Sequence, residues 1–303
     1  MDEPIVAANP ADQWMIVGAG RAGLTLAVAL ASHGLGVDLV CRRGTRRERL
    51  VAWLAPLGLP ITVCETAGPA NHVILAVPDG AIVPVAATLP VFPGSVWLHL
   101  SGAQPWAILQ RSEGPIDVGA LHPLAALPDP LDFAPSPAVL RPLHGATCAI
   151  SGTPTAQAHA RYLALLVKGR PVTVREDARA LYHAAAALAA NDLVGLLALA
   201  SQAAQEAGLS AEESRQGLTH LMQTALDAVV RLPLNAPLAQ GLTGAVARGD
   251  AGTLARHLQA LRPLSPESVA VHTALSRVLV EEVRSADLLG EAALTAMEAV
   301  LAD

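Results

Sequence analysis

Short runs of consecutive apolar residues recur through the first half of the chain, each closed by Gly or Pro. Trp14–Val17, Val37–Cys41, Ile61–Cys64, His72–Val77, Val96–Leu100 and Asp117–Leu121 are of this kind, and all are rich in Val, Ile and Leu. Runs this short with no polar alternation suit parallel strands covered on both faces. Between them lie longer helical runs: Ala22–His33 stops at Gly34, and Thr45–Leu57 stops at Gly58. Glycine just past the last helical residue is a stop signal, because it takes the left-handed conformation cheaply. Strands alternating with helices predict a doubly wound sheet, and Thr147–Ile150 and Val172–Val174 extend it. Pro123–Pro142 reads as a loop.

From about Asp177 the strand signals stop. Helical runs cover roughly Asp177–Ala207, Ala211–Arg231, Ala251–Leu261, Pro266–Leu288 and Glu291–Ala302. Ser210 with Glu213 forms a capping-box pattern, and Ser265–Pro266 an N-cap followed by proline at the first helical position. The expected fold is therefore α/β: an N-terminal Rossmann-type doubly wound sheet over residues 1–175 and an all-α domain over 176–303. Ala180 to Ala190 is almost wholly apolar and continues to Ala200, interrupted by His183, Asn191 and Asp192. It is expected to be a buried helix, not a membrane span, since polar groups inside a bilayer are costly.

Composition narrows the class. The 303 residues are 52% hydrophobic and 15% charged, which supports a large core and argues against disorder. A net charge of -6 gives no reason to expect nucleic acid. Cys41, Cys64 and Cys148 show no paired spacing, and no histidine or cysteine pattern suggests a metal. The acidic N-terminus lacks an apolar signal core. A cytoplasmic protein with reduced thiols is expected. Lys168 is the only lysine, so lysine chemistry would have to come from that residue.

Gly18-Ala19-Gly20-Arg21-Ala22-Gly23 directly follows the first strand and opens the first helix. In that context a G-x-G-x-x-G pattern points to a dinucleotide. Gly18 allows the turn, Gly20 lets backbone approach a pyrophosphate, and Gly23 allows close helix–strand packing. Exposed amides at the helix start then meet the phosphates. Arg42 and Arg43 stand at the tip of the second strand, with Arg46 and Arg47 close behind and no carboxylate at the tip. Guanidinium groups match a 2′-phosphate, so NADP is expected over NAD. Asp38, the competing ribose ligand, lies too early, inside the strand. A solvated basic turn is the plainer alternative.

Ligands of open α/β sheets bind beyond the carboxyl ends of the strands. Val77-Pro78-Asp79, Ser101-Gly102-Ala103 and His122-Pro123 should lie there. Gly102 and Ala103 are small enough to let a flat ring near the backbone. His122 could move a proton, or could be a loop histidine held by backbone. On the long helix, Tyr182, His183, Asn191 and Asp192 need partners or a ligand. His183 and Asn191 lie about 80° and about 12 Å apart on an ideal helix, so they could line one pocket at different depths or be satisfied structurally. Arg248 could hold an anionic group, and Asp250 looks like an N-cap. His257 more readily reads as structural.

With these segments placed, the chain resembles a family of predicted NADP oxidoreductases that join a Rossmann domain to a helical domain of unknown function. The family lies in the superfamily of 6-phosphogluconate dehydrogenase and pyrroline-5-carboxylate reductase. The resemblance rests on the glycine fingerprint, His99-Leu100-Ser101-Gly102-Ala103, Gly119-Ala120-Leu121-His122-Pro123-Leu124, and Tyr182-His183-Ala184-Ala185-Ala186 with Asn191. Leu242-Thr243-Gly244, Arg248-Gly249-Asp250 and His257-Leu258 add to it. Ala245 departs from the pattern, which has proline there. The His-Pro pair is also weakly similar to prephenate-type dehydrogenases.

The resemblance implies a C-terminal domain of the 6-phosphogluconate dehydrogenase type, a homodimer through the helical domains, and a cleft between domains. The better-known dehydrogenases of the superfamily carry a Lys–Asn pair on the long helix. Here there is no lysine, and His183 with Asn191 would stand in that region. The expected function is an NADP-dependent oxidoreductase acting on a small polar metabolite. His183, Asn191, His122 and Ser101 would be catalytic. Gly18, Gly20, Arg21, Ala22, Gly23, Arg42, Arg43, Val77, Pro78, Ser101 and Gly102 would hold the cofactor, and Thr243 and Arg248 the substrate. A dinucleotide-binding sensor without turnover is the alternative.

Overall fold

The computed structural model describes residues 13–110 and 116–302. The acidic N-terminal segment that bears on a signal core lies almost wholly outside them. The chain forms two compact units, one ending at Ala190 and the other beginning at Asn191.

The first unit opens with β1 (Trp14–Val17), α1 (Arg21–Ser32), β2 (Val37–Val40), α2 (Thr45–Leu54), β3 (Ile61–Cys64) and β4 (His72–Leu75). It continues with α3 (Ile82–Thr88), β5 (Val96–His99), β6 (Asp117–Pro123), β7 (Thr147–Gly152), α4 (Pro154–Leu166) and β8 (Arg170–Thr173). These strands form one sheet in the order β3-β2-β1-β4-β5-β6-β7-β8. β1 to β6 are mutually parallel, β7 runs antiparallel to β6, and β8 is parallel to β7. The carboxyl ends of β1, β4, β5 and β6 therefore share one edge.

β1 shows why its apolar run is continuous. Trp14 and Ile16 join the core on one face, while Met15 and Val17 join the core on the other. Successive strand residues point to opposite faces, so both sets must be apolar. α1 is also apolar nearly all round, with every residue from Gly23 to Ala31 buried. It packs on the sheet and beneath the 3₁₀ segment Pro137–Leu143, which lies in the stretch expected to be a plain loop. Gly34 and Gly58 take positive φ values of 80° and 60°, as expected of helix stops.

The last helices are α5 (Arg179–Glu206), α6 (Ala211–Val230), α7 (Ala251–Leu261), α8 (Pro266–Ser285) and α9 (Glu291–Ala302). Leu254, Leu258, Val280, Val283, Leu294 and Met297 form the core of the second unit. The Ser210–Glu213 capping box, the Ser265 cap ahead of Pro266 and the Asp250 cap are all formed. α5 corrects one expectation. It is not a buried helix within this chain, since Arg179 alone of its residues is buried. Leu181, Leu188 and Val194 are largely exposed. The segment Glu176–Glu206 is long and apolar enough to cross a membrane by length and composition. Apolarity alone cannot say whether core, partner or lipid covers a helix.

Candidate functional site

The β1–α1 turn has the construction its glycines imply. Gly18 has φ +110°, and a Cβ there would lie 2.4 Å from the Ala76 carbonyl oxygen. At Gly23 a Cβ would lie 1.9 Å from the Gly18 carbonyl oxygen, so any side chain would force α1 off the turn. Gly20 is different: nothing lies within 4 Å of where its Cβ would be. Gly20 is also the N-cap of α1, and no side chain caps it. The helix thus starts with bare amides and no side chain over them, which is the condition for anion binding.

Next to this turn a cavity of about 900 Å³ opens along the ends of β1, β2 and β4. Gly18, Gly20, Val77 and Pro78 line one part of it, and Arg42, Arg43, Arg46 and Glu65 another. The arginines are not equivalent. Arg46 is locked: its guanidinium donates to both oxygens of Asp129 at 2.7 and 3.2 Å and to the Ala19 carbonyl at 2.8 Å. The hydrogen bond from Arg46 holds the Asp129 carboxyl below its ordinary pKa. Arg46 therefore braces the glycine turn. Arg43 donates to Glu65 at 2.7 Å, and Arg47 stands 4.0 Å from the same carboxylate. Arg42 has no carboxylate partner among the described residues. Asp38 lies inside β2 and accepts from Gln13 at 2.8 Å, and it does not line the cavity.

A second cluster forms around Gly102, after β5. A Cβ on Gly102 would lie 2.6 Å from His183 Cδ2 and 2.9 Å from His122 Nε2. The missing side chain is thus used by two imidazoles of the protein. The two rings meet edge to face at 5.8 Å, and Tyr182 meets His122 the same way at 5.5 Å. The Tyr182 hydroxyl lies 3.0 Å from His122 Nδ1 and 3.2 Å from the His122 carbonyl oxygen. Burial, and then the charges of His183 and Arg179, push the His122 pKa down to about 4. Burial pushes Tyr182 up to about 12. His122 is therefore neutral at pH 7.

Ser101 and Arg179 support this cluster. The Ser101 hydroxyl donates to Asp79 at 2.8 Å and accepts from the amides of Ala103 and Gln104 at 3.2 and 3.0 Å. A hydroxyl has one proton and two lone pairs, so Ser101 has no bond left for a substrate. These bonds hold the loop in place. Arg179 is 2% exposed and donates to the Ser101 carbonyl and the Ser151 hydroxyl, both at 2.8 Å. Burial lowers its pKa, and Glu176 and Tyr182 oppose the shift. These bonds join the start of α5 to the sheet unit. His99, fully buried, accepts from the Ser101 amide through Nδ1 at 3.2 Å and points Nε2 at the Pro105 carbonyl at 3.3 Å. Burial pushes it down to about 4.

Of the residues singled out from sequence, His122, His183, Ser101 and Gly102 come together. Gly18, Gly20, Arg42, Arg43, Val77 and Pro78 line the cavity. Arg21 is exposed and Ala22 half-buried at the start of α1, and Gly23 is buried behind it. Asn191, Thr243 and Arg248 are exposed and belong to the second unit. Among the described residues, no group of three or more His, Cys, Asp or Glu could hold a metal. Sequence reasoning missed Arg179, Asp129, the Ser101–Asp79 bond and the Tyr182–His122 contact, because each depends on residues far apart in the chain. His257 and His272 pair at 5.6 Å in the second unit, which suits the structural reading of His257.

Residues 7–128 match the Rossmann-like domain family, and residues 146–278 match a domain of unknown function, DUF2520. No curated protein matches the chain in sequence. Among solved structures, protein TM1727 from Thermotoga maritima aligns with TM-score 0.67 and 21% identity over 90% of this chain and 98% of its own. A 1-pyrroline-5-carboxylate reductase from Streptococcus pyogenes aligns at 0.60 and 13% over 91% and 100%. A reductive aminase from Aspergillus terreus, in complex with NADPH and ethyl-5-oxohexanoate, aligns at 0.59 and 17% over 95% and 99%. At these identities the likeness establishes the fold.

Proposed function

From a chain that joins a Rossmann-like domain to a DUF2520 domain, we propose an NADP-dependent oxidoreductase acting on a small polar metabolite with a C=O, C=N or hydroxyl-bearing carbon. The observation that carries this reading is the bare α1 N-terminus at Gly20 beside an arginine-lined cavity. The residues present fit the cofactor. The Gly18–Gly23 turn would hold the pyrophosphate, Arg42 and Arg43 the 2′-phosphate, and Val77 with Pro78 would border the path toward the nicotinamide. NADPH, when bound, supplies the hydride; the protein supplies position and electrostatics.

His122 and His183 would face the reacting carbon. Two of the structurally similar proteins are a 1-pyrroline-5-carboxylate reductase and a reductive aminase, the latter with NADPH bound, which favours a carbonyl or imine substrate. The exposed apolar residues of α5 suit cover by a second copy of the chain. A homodimer is therefore part of the proposal, in the cytoplasm, where Cys41, Cys64 and Cys148 stay reduced.

The test is NADPH consumption across a panel of carbonyl and imine compounds, with His183→Ala as control. Turnover lost in the variant while NADPH binding stays intact supports an enzyme. Tight NADPH binding with no consumption by any compound supports a sensor instead.

A further inference from the structure

The Tyr182 hydroxyl touches two groups of the same residue, and together they decide where the His122 proton sits. The His122 carbonyl oxygen, 3.2 Å from the hydroxyl, can only accept. The Tyr182 hydroxyl has a single proton. If that proton goes to the carbonyl, the oxygen meets His122 Nδ1 at 3.0 Å through a lone pair, and Nδ1 must carry the ring proton. If the hydroxyl donated to Nδ1 instead, it would leave the carbonyl facing its lone pairs. Only the first arrangement satisfies both contacts. His99, in the next strand, has the opposite arrangement. Its Nδ1 accepts a backbone N–H, so its proton lies on Nε2, toward the Pro105 carbonyl.

We propose that Tyr182 is a positioning residue that fixes His122 as the Nδ1–H tautomer, leaving Nε2 as a bare acceptor over Gly102. The proposal rests on the oxidoreductase reading for its consequence but not for its geometry. The Cε1–Nε2 edge of the His122 ring lies beside Gly102, both atoms 2.9 Å from where a Gly102 Cβ would be, next to His183. A neutral imidazole presenting a lone pair accepts an N–H or O–H from a ligand and does not deliver a proton. Of the two candidate histidines, proton delivery then falls to His183, which is exposed. Within the proposed carbonyl, imine and hydroxyl classes, a bare Nε2 suits the hydroxyl or protonated-imine form, each of which can donate.

The test is a long-range proton–nitrogen correlation spectrum of uniformly ¹⁵N-labelled full-length protein at pH 7.5, assigned with His122→Asn and His99→Asn. The expected result is the proton on Nδ1 in His122 and on Nε2 in His99. In Tyr182→Phe, His122 should shift toward the Nε2–H form that free imidazole side chains prefer, while His99 keeps its pattern and shows that the fold is intact. A His122 proton on Nε2 in the parent protein overturns the proposal, whatever the variant does. So does a Tyr182→Phe spectrum with His122 unchanged. The spectrum needs no cofactor. Failure of NADP binding would leave this result standing, and failure here would leave cofactor binding untouched.

Discussion

Gly20 and Gly23 sit three residues apart in one motif, yet the structure assigns their substitutions opposite outcomes. At Gly23 an added Cβ would lie 1.9 Å from the Gly18 carbonyl oxygen and 3.0 Å from the Ala76 Cβ. Carbon and oxygen approach to about 3.3 Å at closest, so α1 would have to withdraw by roughly 1.4 Å from the turn. That helix buries every residue from Gly23 to Ala31, and close-packed interiors resist such shifts. Overpacking costs about 1–3 kcal/mol in ordinary cores and more where backbone is the obstacle. Gly23→Ala should lose about 3 kcal/mol, which lowers Tm by about 6–12 °C in a domain of this size. At Gly20 the Cβ meets nothing within 4 Å, and φ is −78°, which alanine adopts freely. Loss of glycine at an N-cap and gain from a stiffer unfolded chain largely offset one another, leaving stability within about 1 kcal/mol. The methyl group would occupy the space a pyrophosphate needs. NADP affinity should fall at least about a hundredfold, or about 2.7 kcal/mol. Thermal unfolding and calorimetric titration on both variants separate the effects. Parent-like NADP binding by Gly20→Ala, or parent-like stability of Gly23→Ala, would refute the reasoning.

Three other outcomes follow from the side chains. Arg179→Met leaves the Ser101 carbonyl and the Ser151 hydroxyl unpartnered; after relief of burying a guanidinium, stability should fall by about 2–4 kcal/mol in urea unfolding, and no change would mean the two bonds are weak. Glu65→Gln releases Arg43 and Arg47, so NADP should bind about 2–5 times more tightly, the worth of one exposed ion pair, with NAD unaffected; weaker NAD binding would instead make Glu65 a ribose ligand. His99 is pushed down to about 4 when folded, below its unfolded value of about 6.5. Its stabilising share is complete above pH 6.5 and is lost as pH falls toward 4, by about 3 kcal/mol for this one group. Unfolding free energies at pH 7 and pH 4.5 should show the fall; His122, also pushed down to about 4, adds its own, so His99→Gln should shrink the fall by about 3 kcal/mol without abolishing it, and an equal fall in both would assign it elsewhere.

Much of the sheet unit was legible because its signals are local. Each strand from β1 to β6 was marked by a short apolar run between glycines or prolines, and the turn by three glycines in a fixed pattern. β7 and β8 were visible as strands, but their reversed direction was not, since direction depends on pairing. α4 was overlooked although Thr153–Pro154 is a readable start, with the Thr153 side chain capping Ala156. α3 is short and carries Pro84 in its first turn, which hides its helical character. The division of the arginines could not be read at all: Arg46 looks like Arg43 until Asp129, far along the chain, is placed beside it. The same holds for the bonds of the Ser101 hydroxyl to Asp79 and to the amides of Ala103 and Gln104. α5 illustrates the limit from the other side, since an apolar sequence reports a need for cover and not what provides it.

The central claim is that the β1–α1 turn receives a pyrophosphate while Arg42 and Arg43 receive a 2′-phosphate. Calorimetric titration of the full chain with NADP and with NAD tests it directly. NADP should bind at least about tenfold more tightly, a difference of about 1.4 kcal/mol, and Arg42→Ala with Arg43→Ala should erase the difference by weakening NADP alone. Equal affinity for the two nucleotides, or heat from neither, would contradict it.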